Sequence, residues 1–170
     1  MRNNNAKPAP PPAPGEEHAG APALLLACGN SLRQDDGVGL RIAEAAEQLF
    51  PASRLRIVAA QQFTPEIAAD VAQTELAIFV DACVGDDPGA IRAYPVAASA
   101  GQAESHHLDP GALLALAQSV CGHAPAHAFA VTIGARDFGY GDEISGRVRQ
   151  AVPKAVRLLT SLMAAFGPQG

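Results

Sequence analysis

The stretch ALLLACGNSLRQDDGVGLRIAE, residues 23–44, decides how the rest of the chain is read. Its first six residues, Ala23–Cys28, are continuously apolar and stop at Gly29-Asn30, the pattern of a strand buried on both faces. The period then changes. Over residues 37–50 (GVGLRIAEAAEQLF), Val38, Ile42, Ala45, Ala46 and Leu49 fall on one helical stripe with charges opposite, and Pro51 stops the helix. A doubly buried strand running into an amphipathic helix is the opening unit of an α/β fold.

Downstream, the alternation continues. Residues 55–60 form a second strand, and Thr64-Pro65-Glu66 opens a helix with Thr64 as N-cap and Pro65 at its first position. Residues 76–80 (LAIFV) read as another buried strand, ending at Asp81. Residues 90–96 are a weaker strand that Pro95 confines to an edge. Asp109-Pro110 caps a helix reaching Val120, residues 129–133 (FAVTI) form the last strand, and an amphipathic helix from about 144 to 165 closes the chain. Pro153 is expected to bend that helix or split off its first turn. The expected architecture is α/β and three-layered, a twisted, mostly parallel sheet of about five strands with helices on both faces. Right-handed crossovers then keep the C-terminal ends of the parallel strands on one edge.

Upstream, residues 1–22 are rich in Pro, Ala and polar residues and supply no face to pack, so they read as a disordered tail preceding a single domain over residues 23–170. The 170 residues suffice for one core without staples, and the chain is 48% hydrophobic and 17% charged. A net charge of −5 without any Lys/Arg cluster argues against nucleic acid and anionic membranes as partners. Three cysteines, Cys28, Cys83 and Cys121, with no CxxC spacing, suit a reducing compartment. No apolar run is long enough to span a bilayer and no export signal precedes the domain, so the expected location is the cytoplasm.

In an open α/β sheet the ligand site lies outside the C-terminal ends of the strands. Asp35 and Asp36 follow the first strand, Asp81 follows LAIFV, and His106 and His107 precede the helix that follows the fourth strand. Two carboxylates and an imidazole there would suit a borderline metal such as nickel or zinc. Each has a plainer reading: one of Asp35 and Asp36 as a helix cap, Asp81 as a loop anchor, either histidine as a surface residue. A dinucleotide loop is disfavoured because GxGxxG is absent and acids sit where phosphate would lie. Cys121, His123 and His127 imitate half of a zinc finger without its second cysteine pair. Ser31 and Ser105 sit in no GxSxG elbow, and Cys28 and Cys83 read better as small buried hydrophobes than as nucleophiles.

Taken in order, LLLACGNSLRQDDGVGLRIAE, QQFTPEIAADV, AIFVDACVG, SHHLDPGALLALA and ISGRVRQAVPKAVRLL resemble the [NiFe]-hydrogenase maturation protease family over residues 23–163. Ala27 departs from that pattern by standing where the family often has Gly. The resemblance implies metal ligation by Asp36, Asp81 and His106, with His106 favoured over His107 by the His-x-Leu spacing to Leu108. It also implies an endopeptidase that removes a C-terminal extension from a nickel-loaded hydrogenase large-subunit precursor. On that reading the nickel arrives with the substrate, Asp36 or Asp81 acts in hydrolysis, and the chain works as a monomer. A non-catalytic nickel or hydrogenase-assembly chaperone and a small-molecule-binding α/β domain are the alternatives.

Overall fold

The structure is a computed structural model in which residues 23–85, 87–99 and 108–167 are described. Five strands form one sheet: β1 (Ala23–Cys28), β2 (Leu55–Ala60), β3 (Leu76–Val84), β4 (Ile91–Pro95) and β5 (His127–Ala135). Their order is β2-β1-β3-β5-β4, with every pairing parallel except β4 against β5. The helices are α1 (Val38–Glu47), the short α2 (Ala68–Val71), α3 (Pro110–Leu116) and α4 (Gly146–Phe166).

Alternation along the strands builds two cores. Leu25 and Ala27 of β1, Ile78 and Val80 of β3, and Val131 and Ile133 of β5 pack on one face against Val38, Ile42 and Ala46 of α1 and Val148, Ala155 and Leu159 of α4. Leu24 and Leu26 of β1 and Ala77 and Phe79 of β3 pack on the other against Phe63, Ile67, Val71, Leu113 and Leu114. Leu24, Leu25 and Leu26 are all sealed from solvent, each contributing about 1.5–3 kcal/mol of burial free energy. A strand with no polar position is thus explained by a helix layer on each side.

The chain leaves β1 for β2 on one side, then crosses β1 to reach β3 on the other. Strand order therefore reverses between β1 and β3, which opens a crevice at their C-terminal ends. The loops carrying the sequence-predicted acids meet there.

Four details differ from the expectations above. Leu49 is 62% exposed, because α1 ends at Glu47 and the following turn brings Phe50 against the core instead. Strand β3 does not stop at Asp81 but runs to Val84. Thr64 takes the extended N-cap conformation ahead of Pro65, but its side chain makes no capping bond to the backbone, and a 3-10 turn precedes α2. Pro153 neither splits α4 nor ends it; it sits on the exposed side of one continuous helix, where its missing N–H is tolerated. Among the described residues no helix is long and apolar enough to cross a membrane.

Candidate functional site

Two strand ends and one tight turn assemble the site. The ladder between β1 and β3 ends at Ala27↔Val80, whereas β3 continues beside β5 through Asp81↔Thr132. Asp81 is therefore the first β3 residue past the end of its β1 pairing, half-buried at the lip of the crevice. Its Oδ1 accepts a 2.7 Å hydrogen bond from the N–H of Ala82.

Asp36 lies in the 3-10 turn Gln34–Gly37. Its Oδ2 accepts from the N–H of Asn30 at 2.9 Å, so the carboxylate closes the loop that it sits on. Two glycines make the close approach possible. Gly29 has φ +144°, and a Cβ there would lie 2.0 Å from the Asp36 carbonyl oxygen. Gly39, at the start of α1, packs so tightly over the sheet that a Cβ would lie 2.3 Å from the Cys28 carbonyl oxygen and 3.1 Å from that of Val80.

Asp36 and Asp81 line one cleft of about 360 Å³ together with Cys28, Gln61, Gln62 and Asp109. Burial pushes the Asp81 carboxyl up to about 6, with the Ala82 N–H opposing and the nearby charge of Asp36 adding to the rise. Burial also drives the Cys28 thiol up to about 12, reinforced by Asp81 and Asp36. That thiol donates to the Gln61 carbonyl at 3.3 Å and stays protonated, which makes it a packing group and not a nucleophile.

The far wall comes from two segments tied together. Phe63 stacks edge-on against Phe79 with ring centroids 5.5 Å apart, and its carbonyl accepts from Leu108 N–H at 3.4 Å. Leu108, Asp109 and Pro110 all line the cleft. Asp109 also caps α3, accepting from Ala112 N–H at 2.7 Å, as its position ahead of Pro110 predicts. His106 and His107 lie outside the described residues.

Asp35, the neighbour left undecided in sequence, points away from the cleft. It is completely buried and caps nothing on its own helix. Its carboxylate instead receives the N–H groups of Ser145, Arg136 and Asp137 and the hydroxyl of Ser145. Of the paired acids, one therefore serves the cleft and the other holds the loop in place.

The decoys separate. Cys121 is exposed, His123 lies 3.5 Å from the Glu75 carboxylate, and His127 packs its ring on Phe166. A cavity of about 420 Å³ beside α4 is larger than the acid-lined cleft, but its Arg41 and Arg149 stand with Asp142 and Glu143 in a charge-balanced setting far less suited to a cation. Gln61 and Gln62 are wall residues that sequence reasoning did not single out as site residues, because neutral amides in a loop carry no chemical signal.

No family model and no curated protein matches the chain. Solved structures do. The hydrogenase maturating endopeptidase HybD from E. coli superposes with a TM-score of 0.70 at 21% identity, over 86% of this chain and 97% of that one. The [NiFe] hydrogenase maturation protease HybD from Thermococcus kodakarensis gives 0.60 at 25% identity, over 83% and 98%. HycI, a [NiFe] hydrogenase maturation protease from Thermococcus kodakarensis KOD1, gives 0.65 at 18% identity, over 85% and 93%. The chain shares their α/β fold across nearly their whole length.

Proposed function

We propose that the chain is a hydrogenase maturation endopeptidase, cutting the C-terminal extension from a nickel-loaded large-subunit precursor. The observation that carries this reading is the convergence of Asp36 and Asp81 in one cleft at the switch point of the sheet. The fold shared with three proteins named as hydrogenase maturation peptidases supports it.

Two carboxylates are hard, anionic donors, and an imidazole added to them makes a set that nickel accepts. His106 would be the third donor. It stands two residues before Leu108 in sequence, and Leu108 lines the cleft. Nickel carried by the precursor would be held by Asp36, Asp81 and His106, and when bound it would supply Lewis-acid polarisation of a carbonyl or water. Precursor without nickel would offer no such handle and would be spared, a specificity set by a required ligand.

Asp36 is held in place by Asn30 and by the Gly29 turn, which gives it a fixed direction into the cleft. Asp81 sits in drier surroundings that, before any metal binds, lift its carboxyl to about 6. Asp36 and Asp81 are the two carboxylates placed to accept a proton from water, and nickel held by one of them would lower that group's pKa.

A gel assay on the cognate precursor tests this, comparing nickel-loaded with nickel-free substrate. Wild type is expected to shorten only the loaded form, and Asp81→Ala to leave it intact. Loaded precursor that binds wild type and stays uncut would replace the peptidase reading with that of an assembly chaperone.

A further inference from the structure

We propose that the free edge of β2 receives the substrate polypeptide as an added strand, whose neighbouring residues cross Gln61 and Gln62 into the acidic cleft. The inference rests on the endopeptidase reading and specifies how the substrate is held.

Among the described residues β2 pairs only with β1 and forms one end of the sheet. The hydrogen bonds say which of its groups face outward. Ala23 N–H donates to the Arg54 carbonyl and Gly29 N–H to that of Ala60. In a parallel ladder, alternate residues turn both backbone groups to the same neighbour. Residues 54, 56, 58 and 60 therefore face β1, and Leu55, Ile57 and Ala59 face away. The N–H of Leu55 is taken by the Pro51 carbonyl. Those of Ile57 and Ala59 project from the edge, with the carbonyls of all three.

The two edges of the sheet are not alike. Strand β4 is blunted by Pro95 and is largely exposed. Strand β2 (LRIVAA) carries no proline and has the β-branched residues that a pairing strand favours. Alongside it lies a groove of about 370 Å³ lined by Glu47, Phe50, Leu55 and Ile57, a place for side chains of an added strand. Its C-terminal end leads directly into Gln61 and Gln62, which wall the cleft.

A polypeptide to be cut must lie extended, and an open edge holds it so through main-chain bonds that ask little of its sequence. Strands in a sheet lie about 4.8 Å apart, so a strand added to β2 needs about 10–15 Å, three to five extended residues, to reach the ends of β1 and β3. The chain's own first 22 residues are a poor occupant, since six are prolines without the N–H a ladder needs.

Two measurements on the full chain test this. In pulsed hydrogen exchange, the Ile57 and Ala59 amides should exchange freely in the chain alone and become protected within seconds of adding nickel-loaded precursor. In cleavage kinetics, Ala59→Pro removes one outward donor and leaves the β1 ladder whole; KM should rise about 3- to 10-fold with kcat unchanged. Ala59→Ser, which keeps the N–H, should behave as wild type. If precursor is bound and cut while both amides stay unprotected, the strand-addition proposal falls and the endopeptidase reading survives. Protection already present in the free chain, from its own tail or a second copy, also overturns it. A wild type that neither binds nor cuts removes the endopeptidase reading itself, and this inference with it. Should Ala59→Pro fail to fold, the exchange result on wild type decides alone.

Discussion

The Oδ1 of Asp35 accepts the Ser145 N–H at 2.7 Å across 110 residues of sequence, and this bond joins the loop after β1 to the start of α4. Ser145 is the N-cap of α4, and its hydroxyl donates to the other oxygen of the same carboxylate at 3.1 Å. The turn that aims Asp36 is thus fixed from behind by its neighbour, so the cleft geometry depends on a residue that never meets substrate.

Asp35→Ala is expected to cost about 3 kcal/mol of folding stability, because buried backbone donors lose their acceptor. Burial alone would raise this carboxyl, but the bonds from Ser145, Asp137 and Arg136 outweigh it and hold the folded value below the ordinary one. A depressed folded pKa adds stability that is present above the unfolded value, about 3.9, and is lost as pH falls through the lower folded value. Denaturant melts from pH 7 to pH 2 should show wild type losing more stability at the acid end than Asp35→Asn does. Equal acid losses in the two proteins would show that Asp35 is not ionised in the fold.

Gly29→Ala tests the close approach that seats Asp36. The added methyl meets the Asp36 carbonyl oxygen at 2.0 Å and must adopt φ +144°. A loss of about 2 kcal/mol or more is expected from strain and displacement, with cleavage falling further than the melting shift accounts for. Wild-type activity in a folded Gly29→Ala protein would show that the turn tolerates displacement.

Cysteine chemistry gives an opposite expectation. With its thiol pushed up to about 12, Cys28 remains unionised between pH 7 and pH 9, so Cys28→Ala should keep cleavage within about 3-fold of wild type. Mass spectrometry after iodoacetamide treatment of the folded chain should find exposed Cys121 alkylated well before Cys28. Abolished cleavage in a stable Cys28→Ala protein would restore the thiol as a nucleophile.

The layer order was legible because periodicity reports burial, and Leu24, Leu25 and Leu26 are sealed by helices on both faces as their unbroken apolar run implies. That Asp36 and Asp81 would line one crevice was legible because chain topology gathers strand ends whatever the local detail. What sequence withheld depends on long-range geometry. By residue type and spacing alone, without the family resemblance, Asp35 is indistinguishable from Asp36 until residues 136–145 fold back over it. The continuation of β3 past Asp81 depends on β5 being longer than β1, which no local pattern along β3 encodes. Leu49 fits the helical period and still faces water, because the chain leaves the helix one turn before Pro51.

His106 and His107 separate by substitution. Leu108 lines the cleft and is anchored to Phe63; both histidines stand just before it in sequence, and only the His-x-Leu spacing favours His106. Loss of a direct ligand should exceed the 10- to 100-fold typical of groups behind a metal site, so His106→Ala is expected to lower nickel-dependent cleavage by about 100-fold or more. His107→Ala should remain within about 3-fold, as for a side chain that is not a ligand. Melting curves of both variants, set beside wild type, separate loss of a ligand from loss of the fold. A large loss in His107→Ala with His106→Ala unaffected would transfer the ligand role by one residue. Full activity in both would leave the two carboxylates as the chain's entire hold on the metal and reduce His-x-Leu to a connecting loop.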